Sequence, residues 1–116
     1  MDQNDGSKLS MNSRRKGADG ERELAQVLNR HGFTTRRGQQ YSGANGDADV
    51  VGIEGLHIEC KRVEALNIDN AMMQSRRDAR DGEIPVVMHR KSHKTWLVTM
   101  DLLAFIKLWK EAHDEQ

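Results

Sequence analysis

The chain is poor in several features that mark out classes of protein. It contains one cysteine, Cys60, so no disulfide can form within the chain, and we expect a protein of a reducing compartment. No stretch approaches the roughly 20 consecutive apolar residues of a membrane-spanning helix. The first residues are polar and lack the apolar core of a signal peptide. These absences argue against a disulfide-stapled secreted scaffold and a helical membrane protein, and we expect a cytoplasmic protein without a membrane partner.

Net charge is also lacking, since 18 basic residues are balanced by 18 acidic ones. The total therefore shows none of the basic excess that usually identifies a nucleic-acid-binding domain. The basic residues are nevertheless clustered, while much of the acid lies near the two chain ends, so a neutral total is compatible with one basic face. The basic runs are Arg14, Arg15 and Lys16, then Arg36 and Arg37, then Arg76, Arg77 and Arg80.

The 116 residues amount to about one domain, and hydrophobic periodicity predicts where its helices lie. The polar segment 1–13 is predicted to be a disordered tail, and 14–116 a single domain. Helices are predicted over 19–31, over 67–81 and from residue 102 onwards. Each follows a polar residue suited to N-capping: Asp19, Asn67 and Asp101.

Runs of β-forming residues between turn signals predict five strands. The second predicted helix is long enough to cross over and bring the strand after it parallel to the strand before it. This order predicts an α/β fold in which helices flank a mixed central β-sheet. The predicted strands are 33–41, 48–53, 56–62, 84–89 and 95–100.

Charged residues lie on the two strands that should form a central hairpin. Glu59 and Lys61 are two residues apart and therefore point to one face, while Cys60 points to the other. A two-residue turn at 54–55 would oppose Asp49 to Cys60, whereas a three-residue loop over 53–55 would oppose Asp49 to Glu59. The three-residue loop favours Gly at its last position, where Gly55 stands. The sequence therefore predicts that Asp49, Glu59 and Lys61 converge.

Two converging carboxylates favour a bound cation, because like charges side by side are costly without one. Oxygen ligands suit Mg²⁺ or Mn²⁺. Glu21, at the edge of the inward face of the first helix, could add a direct or water-mediated contact. Lys61 could orient or deprotonate a water molecule or stabilise the phosphate. Such a site hydrolyses phosphodiesters, and the basic runs would hold the polyanion.

Four segments in order, "KGADGERELAQVLNRHGF", "SG", "ADVV" and "IECK", resemble the PD-(D/E)XK nuclease superfamily. Within it, the pattern over roughly residues 14 to 100 is most similar to the archaeal-type Holliday junction resolvases and their viral relatives. The resemblance implies an αβββαβ restriction-endonuclease-like core, Mg²⁺, and homodimers that make paired nicks across a four-way DNA junction. The helical Glu of the family matches Glu21, its metal-binding Asp matches Asp49, its E-x-K matches Glu59 and Lys61, and a loop Ser matches Ser42. Ala48 stands where the family pattern has Pro.

On this interpretation, the site residues form three sets. The catalytic set is Glu21, Ser42, Asp49, Glu59 and Lys61. The metal ligands are Glu21, Asp49, Glu59 and the backbone carbonyl of Cys60. The predicted DNA-binding residues are the basic runs together with one further arginine: Arg14, Arg15, Lys16, Arg36, Arg37, Arg62, Arg76, Arg77 and Arg80.

Other interpretations remain open at this point. Charged residues on a hairpin are often only its solvated face, and the arginines near residue 77 could be a solvated helix face. A restriction-like, nicking or repair nuclease would carry the same site, and a non-catalytic DNA-binding module could keep the same fold. Aromatic residues near the C-terminus are expected in the core or at a dimer contact rather than stacked on bases; they are Trp96, Phe105 and Trp109.

Overall fold

A computed structural model of the chain describes the backbone of residues 5–39 and 48–114 and the side chains of residues 17–39 and 48–114. The helices are α1 (Asp5–Arg30), α2 (Ile68–Asp78) and α3 (Leu102–His113). The strands are β1 (Arg36–Arg37), β2 (Val50–Val51), β3 (Leu56–Arg62), β4 (Ile84–Arg90) and β5 (Leu97–Met100). Within the described ranges, no helix has the length and apolarity that crossing a bilayer would require.

The five strands form one mixed sheet in the order β1-β2-β3-β4-β5. Strands β3 and β4 are parallel, and the other neighbours are antiparallel. Helix α2 makes the crossover between the parallel pair, as its length predicted. The predicted α/β fold, with a mixed sheet flanked by helices, is therefore confirmed.

Two apolar layers hold α1 and α2 to the sheet. On one face, Leu24 of α1 packs with Val50, Ile58 and Val86, all of which are buried. On the other face, two residues of α2, Ala71 and Met72, pack against Val87. Side chains alternate along a strand, so β3 sends Ile58 and Cys60 towards α1 and its odd-numbered residues towards α2. The odd-numbered residues of β3 are His57, Glu59 and Lys61.

The β2–β3 hairpin has the predicted register. Val50 is the partner of Ile58, so Asp49 lies opposite Glu59. The turn itself is tighter than the predicted three-residue loop, since the amide of Leu56 donates to the carbonyl of Ile53 at 3.2 Å. The additional residue lies on the β2 side, where Gly52 takes a φ of +124°. The register was therefore predicted correctly, although a bend at Gly52 produces it rather than a longer loop.

The first helix begins earlier than the sequence predicted. Helix α1 starts at Asp5, so residues 5–13, predicted as part of a disordered tail, are helical, and Asp19 is not the N-cap. Asp19 instead pairs with Arg22 at 3.1 Å, one turn along the helix. Upstream residues such as Leu9 and Met11 are good helix formers and carry the helix through that point. The placement of the domain over 14–116 stays a prediction.

Other boundaries differ by a few residues. Strands β1 and β2 are shorter than the predicted 33–41 and 48–53. Helix α2 begins after Asn67, whose side chain accepts a hydrogen bond from the amide of Asn70 at 3.0 Å, so this N-cap is confirmed. It ends at Asp78 rather than residue 81, because Ala79 adopts an extended conformation.

Candidate active site

The hairpin register brings two carboxyl groups together at the centre of the sheet. Glu59 is buried, and the carboxyl groups of Asp49 and Glu59 share a hydrogen bond. The Oδ2 atom of Asp49 also accepts a hydrogen bond from the amide of Cys60 at 2.8 Å. The backbone of β3 thus orients the first carboxylate, and the side chain of Glu59 supplies the second.

This pairing has a clear electrostatic consequence. Burial, and after it the neighbouring charge of Glu59, raises the pKa of Asp49 to about 7, while the amide of Cys60 acts in the opposite direction. Glu21 adds a further rise in the pKa of Asp49. Two carboxylates this close do not both ionise readily without a compensating cation, so the pair either keeps a proton or exchanges it for a cation. The oxygen donors fit a hard divalent ion such as Mg²⁺ or Mn²⁺.

Glu21 approaches the pair from α1 without completing a three-carboxylate cage. Its Oε1 atom accepts a hydrogen bond from Nε of Arg37 at 2.9 Å. In the described part of the chain, the ligand atoms of Glu21, Asp49 and Glu59 do not all lie within 4.8 Å of one another. Glu21 is therefore close enough to act electrostatically on Asp49, but the structure does not place it as a third direct ligand.

A histidine that the sequence analysis did not select lies beside Glu59. The Nε2 atom of His57 is 3.4 Å from Oε1 of Glu59, and its Nδ1 atom is 3.5 Å from Oε1 of Glu83. The hydrogen bond with Glu59 is the main cause that raises the pKa of His57. The side chains of His57, Glu59 and Asp78 offer ligand atoms that lie within 4.8 Å of one another, as a metal site would require. The missed signal was the spacing in "LHIECK", which puts His57 and Glu59 on one face.

The next residue on that face is Lys61, which lies beside His89 of β4. Among the described residues, Lys61 makes no ion pair, and His89 bonds through Nε2 to Oγ1 of Thr99 at 2.9 Å. Cys60 faces the other way, into the core against α1, and burial raises the pKa of its thiol. The thiol is therefore directed away from the carboxyl pair, which leaves the backbone of Cys60 as the part that borders the site.

Several predicted residues lie outside what the structure describes. Ser42 is in the undescribed segment 40–47. Arg14, Arg15 and Lys16 belong to α1, but their side chains are not among those described.

Most of the described arginines that were predicted to bind DNA have an acidic partner within the chain. Arg37 binds Glu21, Arg62 binds Glu23, Arg76 binds Asp101 and Arg77 binds Asp78, at N–O distances of 2.9, 3.0, 2.6 and 3.1 Å respectively. These pairs place part of the positive charge of the chain directly beside acidic groups. Two other described arginines of the predicted set, Arg36 and Arg80, line one groove of ≈ 390 Å³ beside the β2–β3 turn. His57 also lines this groove, so it adjoins the carboxyl pair.

Comparison with known proteins identifies a family model and solved structures that are similar to the chain. A family model described as "Archaeal holliday junction resolvase (hjc)" matches residues 12–77, the stretch that contains Glu21, Asp49, Glu59 and Lys61. No curated protein matches the chain. Among solved structures, Hjc from Archaeoglobus fulgidus, described as a Holliday junction resolvase from an archaeal hyperthermophile, is 23% identical with a TM-score of 0.50. The match covers 73% of this chain and 72% of that one, and it supports the fold.

Proposed function

The chain belongs to the archaeal Holliday junction resolvase family, and from that premise we propose that it hydrolyses phosphodiesters of four-way DNA junctions with a divalent metal ion held by Asp49 and Glu59. The observation that carries the proposal is the pair of hydrogen-bonded carboxyl groups at opposed positions of β2 and β3. The pair lies inside the matched family segment. A buried acid pair that retains a proton at neutral pH is a site that a divalent ion can occupy by displacing that proton.

Each residue of the site has a proposed role. Asp49 and Glu59 bind Mg²⁺, or Mn²⁺ as a substitute, together with the backbone carbonyl of Cys60. A bound ion of this kind activates water and polarises the phosphate. Lys61, on the same face of β3 as Glu59, positions the attacking water or stabilises the charge that develops on phosphate oxygens. Glu21 assists through a water molecule, which fits its place beside the pair rather than within it. Ser42 is proposed to lie near the reacting phosphate.

The arginines are proposed to contact the DNA backbone in two ways. Arg36 and Arg80 line the groove beside the site and can donate hydrogen bonds to phosphate oxygens there. In the four ion pairs, a DNA phosphate competes with the acidic side chain for the same guanidinium group. Each of these arginines must therefore bind the phosphate beside its carboxylate or in place of it. This exchange fits a protein that binds junctions by shape and at many weak contacts rather than by sequence. Arg14, Arg15 and Lys16 extend the proposed contact surface along α1.

A second subunit is part of the proposal, because a four-way junction has two strands to cut at equivalent positions. Helix α3 is the proposed contact. Its apolar side chains are largely exposed, with Leu102 at 70%, Leu103 at 78% and Phe105 at 52%. An apolar stripe of this kind on a water-facing helix is typical of an interface.

The test compares cleavage of a four-way junction with cleavage of duplex and flap DNA of the same sequence. We expect Mg²⁺-dependent cleavage of the junction in preference to the others, and we expect Asp49→Asn to bind the junction with unchanged affinity while losing at least about 100-fold in cleavage rate. Asp81→Asn, which makes the same change in an exposed loop, is the matched control and should cleave like the wild type.

The alternatives are distinguished by the same assay. Equal cleavage of duplex and junction would replace the proposal with a restriction-like or nicking nuclease. A wild-type protein that binds junctions but cuts nothing with either Mg²⁺ or Mn²⁺ would instead be a DNA-binding module that retains the fold.

A further inference from the structure

His57 is held in a single orientation on the inner face of the site. Its side chain is buried, at 3% exposure, and each ring nitrogen faces a carboxylate: Glu59 at 3.4 Å and Glu83 at 3.5 Å. The backbone is held as well, because Oγ of Ser75 donates to the carbonyl of His57 at 3.2 Å and to that of Val86 at 3.1 Å. A buried imidazole with a hydrogen bond at one nitrogen and a carboxylate oxygen beside the other has little freedom to rotate.

The arrangement of His57 restricts the orientation of the Glu59 side chain. Its carboxyl group contacts His57 on one side and shares a hydrogen bond with Asp49 on the other. The last torsion of a glutamate side chain is broad, so without a lateral contact its carboxylate samples several directions. With His57 in place, Glu59 is aligned towards Asp49 before any cation arrives.

We propose that His57 is a positioning residue that, itself oriented by Glu83, holds the carboxylate of Glu59 in the direction needed to share a divalent ion with Asp49. The proposal rests on the function proposed above, since it concerns the same metal site. Partners of this kind, which do not touch the metal but orient a ligand, contribute about 10- to 100-fold to metal affinity in other sites. The sequence offers no such role for His57 until β3, α2 and the segment before β4 are brought together.

The experiment uses two substitutions of His57, each of which places an amide nitrogen where one of the two ring nitrogens lies. The amide nitrogen of a glutamine reaches the place of Nε2 and can still donate to Glu59, whereas that of an asparagine reaches the place of Nδ1 and faces Glu83. For the full chain, Mn²⁺ affinity is measured by the loss of the free-ion electron paramagnetic resonance signal. We expect His57→Gln to bind Mn²⁺ within about threefold of the wild type and His57→Asn to bind about 10- to 100-fold more weakly. Junction cleavage by His57→Asn should recover when Mn²⁺ is raised to saturation, because the defect lies in metal binding rather than in turnover.

A second variant keeps the test decisive if His57→Asn does not fold. Glu83 is half-buried, lies 3.5 Å from His57 and is not among the clustered ligand groups of the described residues. Glu83→Gln should therefore fold and lower Mn²⁺ affinity by about twofold to fivefold. The proposal is overturned if every variant that folds binds Mn²⁺ with the affinity of the wild type. It is also overturned if His57→Gln and His57→Asn lose the same amount of Mn²⁺ affinity. Nitrogen hyperfine coupling to bound Mn²⁺ that disappears in His57→Gln would also overturn it, because His57 would then be a direct ligand in the cluster with Asp78.

The two proposals fail in different ways. Asp49→Asn should abolish Mn²⁺ binding at this site. If Asp49→Asn binds Mn²⁺ as tightly as the wild type, the metal site itself is wrong, and the proposed function fails with it. If Asp49→Asn loses Mn²⁺ while the His57 and Glu83 variants do not, only the positioning role fails.

Discussion

The carboxyl groups of Glu23 and Asp49 have opposite charged surroundings in this protein. Glu23 lies between two arginines, Arg62 at 3.0 Å and Arg90 at 2.6 Å, and these contacts lower the pKa of its carboxyl group. Asp49 has the reverse environment, since burial and the neighbouring charge of Glu59 raise the pKa of its carboxyl group. The first arrangement is complete within the chain and ties α1 to β3 and β4. The second sets two carboxyl groups side by side, an arrangement that a proton or a cation stabilises, and we therefore propose metal binding there.

This difference predicts how stability responds to pH. The folded chain keeps a proton on Asp49 up to a pH of about 7, whereas the unfolded chain releases it near the ordinary aspartate pKa of 3.8. The folded state therefore binds more protons over that interval, and its free energy of unfolding should fall as the pH rises from about 5 to about 8. His57, whose pKa is also raised, contributes in the same direction. Thermal melts of the metal-free protein across this range measure the slope, which Asp49→Asn should flatten.

A bound divalent ion should counteract this loss of stability at higher pH. An ion bound to ionised Asp49 and Glu59 stabilises the folded state by mass action, so Mn²⁺ should raise the melting temperature more at about pH 8 than at about pH 5.5. An equal Mn²⁺-induced shift in Asp49→Asn would contradict this assignment, because the shift would then come from another part of the chain.

At the scale of the elements, the β2–β3 hairpin decides the geometry of the site. Its register depends on a bend at Gly52, which passes so close to the loop after α1 that a Cβ atom there would lie 2.2 Å from the carbonyl oxygen of Thr34. Gly55, in the turn, also has a positive φ, but a Cβ atom there would meet nothing within 4 Å. The two glycines therefore serve different purposes, one for close packing against a neighbouring backbone and the other for the conformation of the turn.

Alanine substitutions should separate these purposes. Gly55→Ala should cost about 1–2 kcal/mol, the usual penalty of a left-handed backbone conformation for an L-residue. Gly52→Ala should cost more than about 3 kcal/mol, because the backbone of residues 34–35 must move in addition. Urea unfolding of both variants measures the difference. Equal losses would show that the approach of Gly52 to Thr34 is not a constraint on the fold.

At the scale of the whole molecule, α3 is the element that the rest of the chain does not bury. Trp109 stacks on His113 at 3.9 Å between ring centroids but remains 53% exposed, and Phe105 is 52% exposed. Of the two predicted places for these aromatics, the core is therefore wrong, because no residue of α3 is buried by the rest of the chain. A contact with a second subunit stays a prediction for Phe105 and Trp109, whereas Trp96 packs against the core beside α1.

The oligomeric state provides the test of this surface. Phe105→Glu should convert a wild-type dimer into a monomer in sedimentation experiments, because it places a charge in the centre of the apolar stripe. Lys107→Glu introduces the same side chain about 200° around the helix and should leave the dimer intact. The monomeric variant should also nick only one strand of a cruciform plasmid, whereas the dimer should make paired cuts. A dimer that persists in Phe105→Glu would place the interface elsewhere.

Local patterns were sufficient to predict the helices and strands and the meeting of Asp49 with Glu59. They were sufficient because helical and strand periodicities and an N-cap such as Asn67 act over a few residues. The hairpin register was predicted correctly even though a bend at Gly52, rather than the predicted loop ending at Gly55, produces it. Strand boundaries near β1 and β2 were predicted too long, because pairing with a neighbouring strand rather than β propensity limits them.

Contacts between segments that are distant in the sequence could not be predicted from such local patterns. Glu23 and Arg90 are 67 residues apart, and nothing near either one indicates the other. The place of His57 between Glu59 and Glu83, the loss of most arginines to internal partners, and the exposure of α3 all follow from how finished elements pack together. Such packing depends on the shape and burial of whole surfaces, so it has no signature within a short stretch of chain.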